Sequence, residues 1–246
     1  MNKIIAKSSV ADVQQKSSCT TCSLREICLP IGLNDAEIYH LSNLIKHKFK
    51  VRRGEYLFHA GADFKSLYAV KNGFFKTSIL KIDGRTQVTG FYMAGELLGL
   101  DAISLEKYSC DTMALEDSEV CEVPFARLEE IGRSIPPLMN QFHKIMSREI
   151  MHDHDVMMLL GHMKAEERLA SFLLNLSTRL SRRGYSSIEF NLKMTRNEIG
   201  SYLGLKLETV SRTFSKLQEE GLVTISNKRV KLENIAELYR KIGDLD

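Results

Sequence analysis

The chain has 246 residues, of which 43% are hydrophobic and 26% charged, the balance of a folded globular protein rather than a disordered one. No apolar run approaches the about 20 residues that a membrane-spanning helix needs, and the N-terminus lacks the apolar core of a secretory signal. We therefore expect a cytoplasmic protein, in a compartment where disulfides are rare. The net charge of +3 does not by itself indicate a partner.

The first 33 residues are predicted to be a flexible N-terminal segment that carries a cysteine-rich loop. Residues 1–18 are polar and show no periodicity. Cys19, Cys22 and Cys28 follow with the spacing C-x2-C-x5-C, which in a reducing compartment indicates a metal or redox site. Such a loop needs a fourth ligand from elsewhere, and the spacing alone favours zinc slightly over an iron–sulfur cluster.

Residues 34–134 are predicted to form an antiparallel β-domain that begins with one short helix. Asn34 is a candidate N-cap for a helix over residues 34–47. From about residue 49 to about residue 125, short β-rich runs are separated by glycines roughly every ten residues, a pattern typical of a sandwich or barrel. A second short helix is expected at residues 126–132.

A long helix is predicted over residues 135–161, because Pro136 and Pro137 suit a first helical turn and apolar residues recur behind them at helical spacing. Its length after a β-domain favours a seam between two copies of the chain. A further amphipathic helix is expected at residues 164–181, inside a C-terminal domain that spans residues 162–246.

A helix-turn-helix is predicted at about residues 194–217. Thr195 and Glu198 have capping-box spacing at the start of the first helix, and Gly204 can take the left-handed conformation that ends it. The second helix leaves polar residues on its outer face near its N-terminus, as in helices that enter the major groove of DNA. Residues 222–234 then alternate about residues 226–228, which predicts a β-hairpin wing.

The outer face of the second helix offers base-reading chemistry. Arg212 can make a bidentate contact to guanine O6 and N7, Glu208 can accept from cytosine N4, and Ser211 is permissive. Other polar residues of the motif are expected to meet phosphates: Thr195, Arg196, Lys206, Thr209 and Lys216. The alternative is a helical hairpin that binds nothing, but the cap, the glycine, the wing and the exposed residue types agree against it.

These residues resemble the CRP/FNR superfamily of transcription regulators, and especially its FNR branch. The blocks that carry the resemblance are LFHAGADFKSLYAVKNGFFK, TGFYMAGELLGLDAI, LEDSEVCEVPF, AEERLASFLLNLS and MTRNEIGSYLGLKLETVSR. The resemblance implies an α+β protein with an N-terminal antiparallel β-roll sensor domain, a long dimerisation helix and a C-terminal winged helix-turn-helix domain. A homodimer of this kind binds palindromic DNA and contacts RNA polymerase through surface loops. The turn at residues 81–85 matches one such loop, and a solvated hairpin tip is the equally consistent alternative.

The resemblance also implies a half-site. Glu208, Ser211 and Arg212 match the Glu-x-x-Ser-Arg set that reads TTGAT in the FNR branch. Leu207 stands where the CRP branch has an arginine, so the guanine contact made by that arginine should be missing.

A cyclic nucleotide and a metal centre are the two candidate inputs to the β-domain. Residues 95–97 share a Gly-Glu-Leu triplet with the cyclic-nucleotide-binding members, but Tyr108 and Ser109 stand where those members place an Arg-Ser pair. A buried phosphate would lack its charge partner, so the triplet is interpreted as a structural turn and no cyclic nucleotide is expected.

The resemblance instead implies a [4Fe-4S] cluster on Cys19, Cys22, Cys28 and Cys121. Oxygen converts such a cluster to [2Fe-2S], the dimer weakens and DNA binding is lost; Ser23 matches a position that influences oxygen sensitivity. Cys110 matches no ligand and is interpreted as a small buried hydrophobe. A related regulator with a zinc or thiol redox input is the alternative. The sequence contains no catalytic constellation that would indicate an enzyme.

Asp153 interrupts the apolar stripe of the long helix, three residues after Ile150. Facing carboxylates at a symmetric seam repel each other, and the resemblance implies that this aspartate, beside the matching Ile150, holds the cluster-free protein as a monomer. The alternative is an aspartate that points to solvent beside His152 and His154, both of which are interpreted as surface residues.

Overall fold

The computed structural model describes residues 19–45, 47–81 and 84–243, so the lead-in expected for residues 1–18 lies outside the described residues. The helices are α1 Asp35–Leu44, α2 Phe125–Ser134, α3 Pro136–His162, α4 Ala165–Ser181, α5 Arg196–Leu203, α6 Leu207–Glu219 and α7 Ile235–Ile242. The strands are β1 Lys48–Val51, β2 Tyr56–Phe58, β3 Ser66–Asn72, β4 Phe74–Leu80, β5 Thr86–Met93, β6 Leu97–Leu98, β7 Asp111–Ala114, β8 Ser118–Pro124, β9 Glu189–Asn191, β10 Val223–Ser226 and β11 Arg229–Leu232. None of the described helices is both long enough and apolar enough to span a membrane.

The β-domain, which consists of α1, β1–β8 and α2, contains two four-stranded antiparallel sheets. Their strand orders are β1-β8-β3-β6 and β2-β7-β4-β5. Phe75 and Val70 are fully buried in the core between them. Glycines make the tight turns: Gly73, between β3 and β4, has φ +94°, and a Cβ there would overlap Ser118. The predicted α+β fold with an antiparallel β-roll is confirmed.

Helix α1 has the predicted start but ends earlier than predicted. The side chain of Asn34 accepts from the backbone N–H of Glu37 at 3.0 Å, and the carboxylate of Glu37 accepts from the N–H of Asn34 at 2.8 Å, which is a full capping box. The helix was expected to continue to residue 47 but ends at Leu44, because Ile45 leaves the helical conformation and buries its side chain in the domain core.

Helix α3 begins at Pro136, directly after α2, and its 27 residues give a rod of about 40 Å. Its first half packs on the β-domain through Leu138 and Phe142, which are buried. Its second half exposes large apolar side chains in the single chain, and it leads to the C-terminal helices.

The winged-helix domain consists of α4–α7 and β9–β11. Thr195 caps α5 with Glu198, as predicted, and Gly204 ends α5 with φ +64°. The predicted wing is the β10–β11 hairpin, whose turn contains Asn227 with φ +56°. A third strand, β9, pairs with β11 and was not predicted, since three residues are too few to show an alternating pattern.

Gly200 allows α5 and the following turn to approach closely. A Cβ at this position would lie 2.6 Å from the carbonyl oxygen of Leu205 and 3.3 Å from Val210 Cγ2. We expect Gly200→Ala to lower the free energy of unfolding by about 1–3 kcal/mol, the usual cost of overpacking. Urea unfolding measures it, with Gly161→Ala as the control, because a Cβ at Gly161 meets open space. Equal stability of Gly200→Ala and wild type would contradict the close approach.

Candidate DNA interface and cysteine centre

The recognition helix α6 separates a buried face from an exposed one. Val210, Phe214 and Leu217 are buried in the core of the winged-helix domain. Glu208, Ser211 and Arg212 are exposed, and their i, i+3, i+4 spacing places them on one face. The three candidate base-reading residues are therefore presented together to solvent.

The candidate phosphate contacts differ in how openly they are presented. Lys206 is exposed at the N-terminus of α6, and Thr209 is half-exposed one turn later. The hydroxyl of Thr195 is engaged in the cap of α5, where it donates to Glu198 at 2.9 Å. Lys216 forms an ion pair with Glu166 at 2.5 Å, so it would have to leave that pair to reach DNA.

Arg196 packs inside the helix-turn-helix more than the sequence suggests. Its guanidinium lies 3.4 Å above the centroid of the Phe214 ring, which is cation–π geometry. Burial lowers the pKa of Arg196 to about 10, so it stays cationic at neutral pH. This contact joins the start of α5 to the buried face of α6. Packing against Phe214 is therefore the main role of Arg196, and a phosphate contact would be an additional one.

Removing Arg212 should weaken binding to the specific site and relax its reading. We expect Arg212→Ala to cost about 1–3 kcal/mol and to lower discrimination at one base pair, since one bidentate guanine contact is lost. Fluorescence anisotropy with single-base variants of the site measures both effects. Lys206→Ala is the control, expected to weaken all sequences alike and to reduce the salt slope by about one. Uniform weakening by Arg212→Ala would contradict a base-reading role.

The cysteine loop lies against the β-domain at the N-terminal end of the described chain. Cys19 is buried in a single 3-10 turn, and its backbone N–H donates to Ser42 Oγ of α1 at 2.9 Å. Leu29, next to Cys28, is 1% exposed and holds the loop in the domain core. The loop therefore has a fixed position on the domain, although it contains no regular helix or strand of more than one turn.

The structure brings Cys121 to this loop. Cys121 lies on β8, opposite Lys48 of β1 and Ala69 of β3, and it packs against the same core as Cys19 and Cys28. Burial raises the pKa of the Cys28 thiol to about 12, and the charges of Cys19, Cys121 and Cys22 add to this rise. The other three candidate ligands, Cys19, Cys22 and Cys121, are thus near enough to Cys28 to raise its pKa.

The four cysteines offer the donor chemistry of a tetrathiolate centre, with three thiols on a short loop and one on a strand that packs on the same core. Among the described residues, no three His, Cys, Asp or Glu side chains form a group that could hold a metal ion. All five cysteines are thiols. Cys110 lies in a different core, beside Phe58 and Tyr108, where a small buried side chain is expected.

The region that matches the nucleotide-binding members has other contents here. Tyr108 is buried, stacks on Phe58 with ring centroids 3.8 Å apart, and donates to the carbonyl of Ser66 at 2.6 Å. The hydroxyl of Ser109 donates to the carboxylate of Asp101. A phosphate at this place would meet a phenol and a carboxylate instead of a guanidinium.

The second half of α3 carries an exposed apolar stripe. Ile150 is 56% exposed and Met157 is 61% exposed. Asp153 lies between them at i+3 and i−4, hence on the same face, and it is exposed in the single chain. Exposed apolar side chains at this density indicate a partner surface.

The structure corrects the interpretation of His152 on α3 as a surface residue. His154 is exposed, but His152 is not a surface residue: it is half-buried, and its Nε2 lies 3.3 Å from the hydroxyl of Tyr202 in α5. Burial lowers the pKa of His152. The sequence showed no sign of this contact, because it joins residues 50 positions apart.

Arg168 of α4 is a positioning residue that sequence reasoning missed. Its guanidinium donates to three backbone carbonyls, at Leu160 of α3, Met163 of the connecting hinge and Leu203 of α5, over 2.8–2.9 Å. One side chain thus holds the end of the long helix, the hinge and the helix-turn-helix together. In the sequence, Arg168 is distinguished only as a member of the block AEERLASFLLNLS, which carries the family resemblance.

The β-roll, the long helix and the exposed recognition helix define a DNA-binding transcription regulator whose N-terminal domain has the fold of a ligand-binding sensor domain. The model of the cyclic nucleotide-binding domain matches residues 48–134, and that of the Crp-like helix-turn-helix domain matches residues 167–241. The chain belongs to the CRP/FNR family of transcription regulators, and to its FNR type.

Relatives of known name cover nearly the whole chain. The fumarate and nitrate reduction regulatory protein of Escherichia coli K12 is 43% identical over 92% of this chain and 90% of its own length. The transcriptional activator protein anr of Pseudomonas aeruginosa is 42% identical over 93% of both. Among solved structures, FixK2 from Bradyrhizobium japonicum has a TM-score of 0.73 and 30% identity, over 79% of this chain and 96% of its own. The first two are named as a regulatory protein and a transcriptional activator, and neither is named as an enzyme.

Proposed function

We propose that this chain is an oxygen-responsive transcription regulator that binds palindromic DNA as a homodimer when it carries a [4Fe-4S] cluster. The ligands are Cys19, Cys22, Cys28 and Cys121. When bound, the cluster supplies the oxygen-labile group, which oxygen degrades to a [2Fe-2S] form. Such a regulator acts on the chromosome and hence in the cytoplasm.

The observation that carries the proposal is that Cys121 packs against the same core as Cys19 and Cys28. One strand thiol and three loop thiols from nearly one hundred positions earlier in the sequence would together supply the four ligands of one cluster. The pKa of Cys28 is raised to about 12, so this thiol stays protonated until a metal displaces its proton. Metal loading can then tighten a loop that packs on α1 and on the core beneath α3.

The second part of the proposal concerns the dimer seam. The occupant of the exposed stripe on α3 is a second copy of the chain, because a stripe along one long helix can bury itself against its own symmetry mate. Asp153 on this stripe then faces its copy and makes association marginal. Dimerisation brings two recognition helices to neighbouring turns of one DNA face, as an inverted repeat requires.

We further propose a TTGAT-type inverted repeat as the DNA site, read by Glu208, Ser211 and Arg212. Leu207 is 44% exposed at the start of α6, and it offers no donor to an additional guanine. RNA polymerase is the expected protein partner. Of the hairpin at residues 81–85, Ile82 and Asp83 lie outside the described residues, while Lys81 N–H donates to the carbonyl of Arg85 at 2.8 Å.

The ultraviolet-visible spectrum and metal content of anaerobically purified protein test the input. A broad absorption band in the blue, four irons per chain as expected for a [4Fe-4S] centre on four cysteines, and a spectral change on exposure to air would support the cluster. Colourless protein containing zinc would overturn it in favour of a zinc input. Colourless, metal-free protein whose DNA binding responds to thiol oxidants would favour a thiol redox input.

A further inference from the structure

Glu96, the glutamate of the Gly-Glu-Leu triplet, is bound by two arginines of the winged-helix domain. Arg179 donates from Nη2 to Glu96 Oε2 at 2.5 Å and from Nε to Oε1 at 3.1 Å. Arg183 donates from Nη2 to Glu96 Oε1 at 2.6 Å. Both arginines lie one turn apart on or just after α4, whereas Glu96 lies in the turn between β5 and β6. We call these three residues the Glu96 cluster.

The backbone of the β-domain completes the Glu96 cluster. Arg179 also donates to the carbonyl of Phe91 at 2.6 Å, and Arg183 donates to the carbonyl of Ala94 at 2.6 Å. Glu96 in turn accepts from the N–H of Met93 at 2.9 Å. Each charged group is therefore satisfied by several partners, which is the condition under which a buried ion pair holds a defined geometry.

The Glu96 cluster is shielded from water. The side chains of Arg183 and Arg179 are 7% and 17% exposed, and that of Glu96 is 25% exposed. Burial by itself raises the pKa of Glu96, but the two guanidinium groups reverse this and hold the pKa below its usual value. The carboxylate is thus ionised at neutral pH and committed to protein groups.

The turn that carries Glu96 is fixed from its other side by the cysteine loop. Gly95 has φ +88°, and a Cβ there would lie 2.9 Å from the side chain of Ile27 and 3.3 Å from its carbonyl oxygen. Ile27 directly precedes Cys28. The turn therefore lies between the cysteine loop and the two arginines, and it is in close contact with both.

A second set of contacts joins the same two domains at α5. Lys76 of β4 pairs with Glu198 at 2.7 Å, with both side chains 17% exposed. Ser201 Oγ accepts from the N–H of Val88 at 2.9 Å and donates to the carbonyl of Thr86 at 3.1 Å. The first helix of the helix-turn-helix thus rests on β5, while α6 projects its reading face away into solvent.

We propose that Glu96 is a positioning residue for DNA binding: it fastens the winged-helix domain to the β-domain of the same subunit and so fixes the direction of α6. The glutamate of the Gly-Glu-Leu triplet thus serves here as a contact between the two domains. The separation of the two recognition helices in a dimer then depends on the Glu96 cluster as well as on α3.

The first test uses cluster-free full-length protein and needs neither dimer nor DNA. Glu96→Gln should raise amide hydrogen exchange about tenfold or more in peptides from residues 91–94 and from the C-terminal half of α4, because local opening becomes easier. Glu189→Gln is the matched control. It makes the same substitution at an ion pair, 2.6 Å long, between Glu189 and Arg229, both of which belong to the winged-helix domain. Unchanged exchange in Glu96→Gln, or an equal rise at these peptides in the control, would overturn the proposal.

The second test rests on the proposed dimer and separates positioning from mere stability. Anaerobic wild-type protein should bind an inverted repeat of optimal spacing better than repeats with one base pair added or removed, because half-site spacing is a geometric requirement. In Glu96→Gln this preference should fall about fivefold or more. A general loss of stability would weaken all three sites alike and leave the ratio unchanged, which would overturn the positioning role. If wild-type protein binds none of the repeats, the proposed function fails, and hydrogen exchange alone decides about the Glu96 cluster.

Discussion

Replacing Cys121 with serine should leave the protein without iron, monomeric and unable to hold its specific DNA site. The substitution removes a single sulfur from a half-buried position on β8, and a serine hydroxyl does not replace a thiolate as an iron ligand. The loop cysteines would then lack their fourth partner. We expect DNA affinity to fall at least about a hundredfold toward the non-specific level, which commonly lies 10³–10⁷ below specific binding. Iron content, sedimentation and anisotropy measure the three losses.

Cys110→Ser is the matched control for this change. Cys110 is also buried in the β-domain, but it packs beside Phe58 and Tyr108 in another core, separate from the core of Cys19, Cys28 and Cys121. It should keep full iron content and DNA affinity, with at most a modest loss of stability. If Cys121→Ser retains the iron and the affinity of wild type, then Cys121 is not a ligand and the proposed centre is wrong.

Asp153→Ala should make the cluster-free protein dimerise and bind DNA in air. Two unit charges about 4 Å apart repel by ~4 kcal/mol at an effective dielectric constant of 20, and water and salt at the seam reduce this. We expect the dimer dissociation constant to fall about a hundredfold, since each 1.4 kcal/mol is roughly a factor of ten. Sedimentation of the metal-free variant in air measures it.

Asp155→Ala separates this effect from a general change of helix charge. Asp155 is exposed on the same helix, but it lies beside His152 and Tyr202, where α3 meets its own winged-helix domain. Its removal changes the net charge equally and should leave the monomer–dimer equilibrium near that of wild type. An Asp153→Ala protein that remains monomeric without cluster would show that Asp153 does not oppose the dimer.

The helix-turn-helix could be predicted from sequence because its signals are local. Thr195, Glu198 and Gly204 lie within ten positions, and each acts through hydrogen bonds or backbone conformation of its immediate neighbours. The turn at Gly95 was inferred differently, from the family resemblance and the absence of the Arg-Ser pair. In the structure the N–H of Glu96 donates to the carbonyl of Met93 at 3.1 Å, which closes a turn there.

Features that join distant parts of the chain left no such signal. Glu96 and its arginines are 83 and 87 positions apart, and nothing in either segment specifies the other. His152 was misjudged for the same reason, since its burial depends on Tyr202 of another domain. The position of Cys121 on the same core as the cysteine loop was expected only through the family resemblance, because spacing within the loop carries no information about a residue on a distant strand.

The most direct test of the account is to measure DNA binding by one preparation before and after exposure to air. Anaerobic protein with intact iron should sediment as a dimer and bind a TTGAT-type inverted repeat specifically. After exposure to air, the same sample should lose its absorption band, its dimer and its DNA affinity together. Asp153→Ala should keep the dimer and the affinity. If the wild-type affinity is the same with and without the cluster, oxygen does not control this regulator through the four cysteines and the central claim is contradicted.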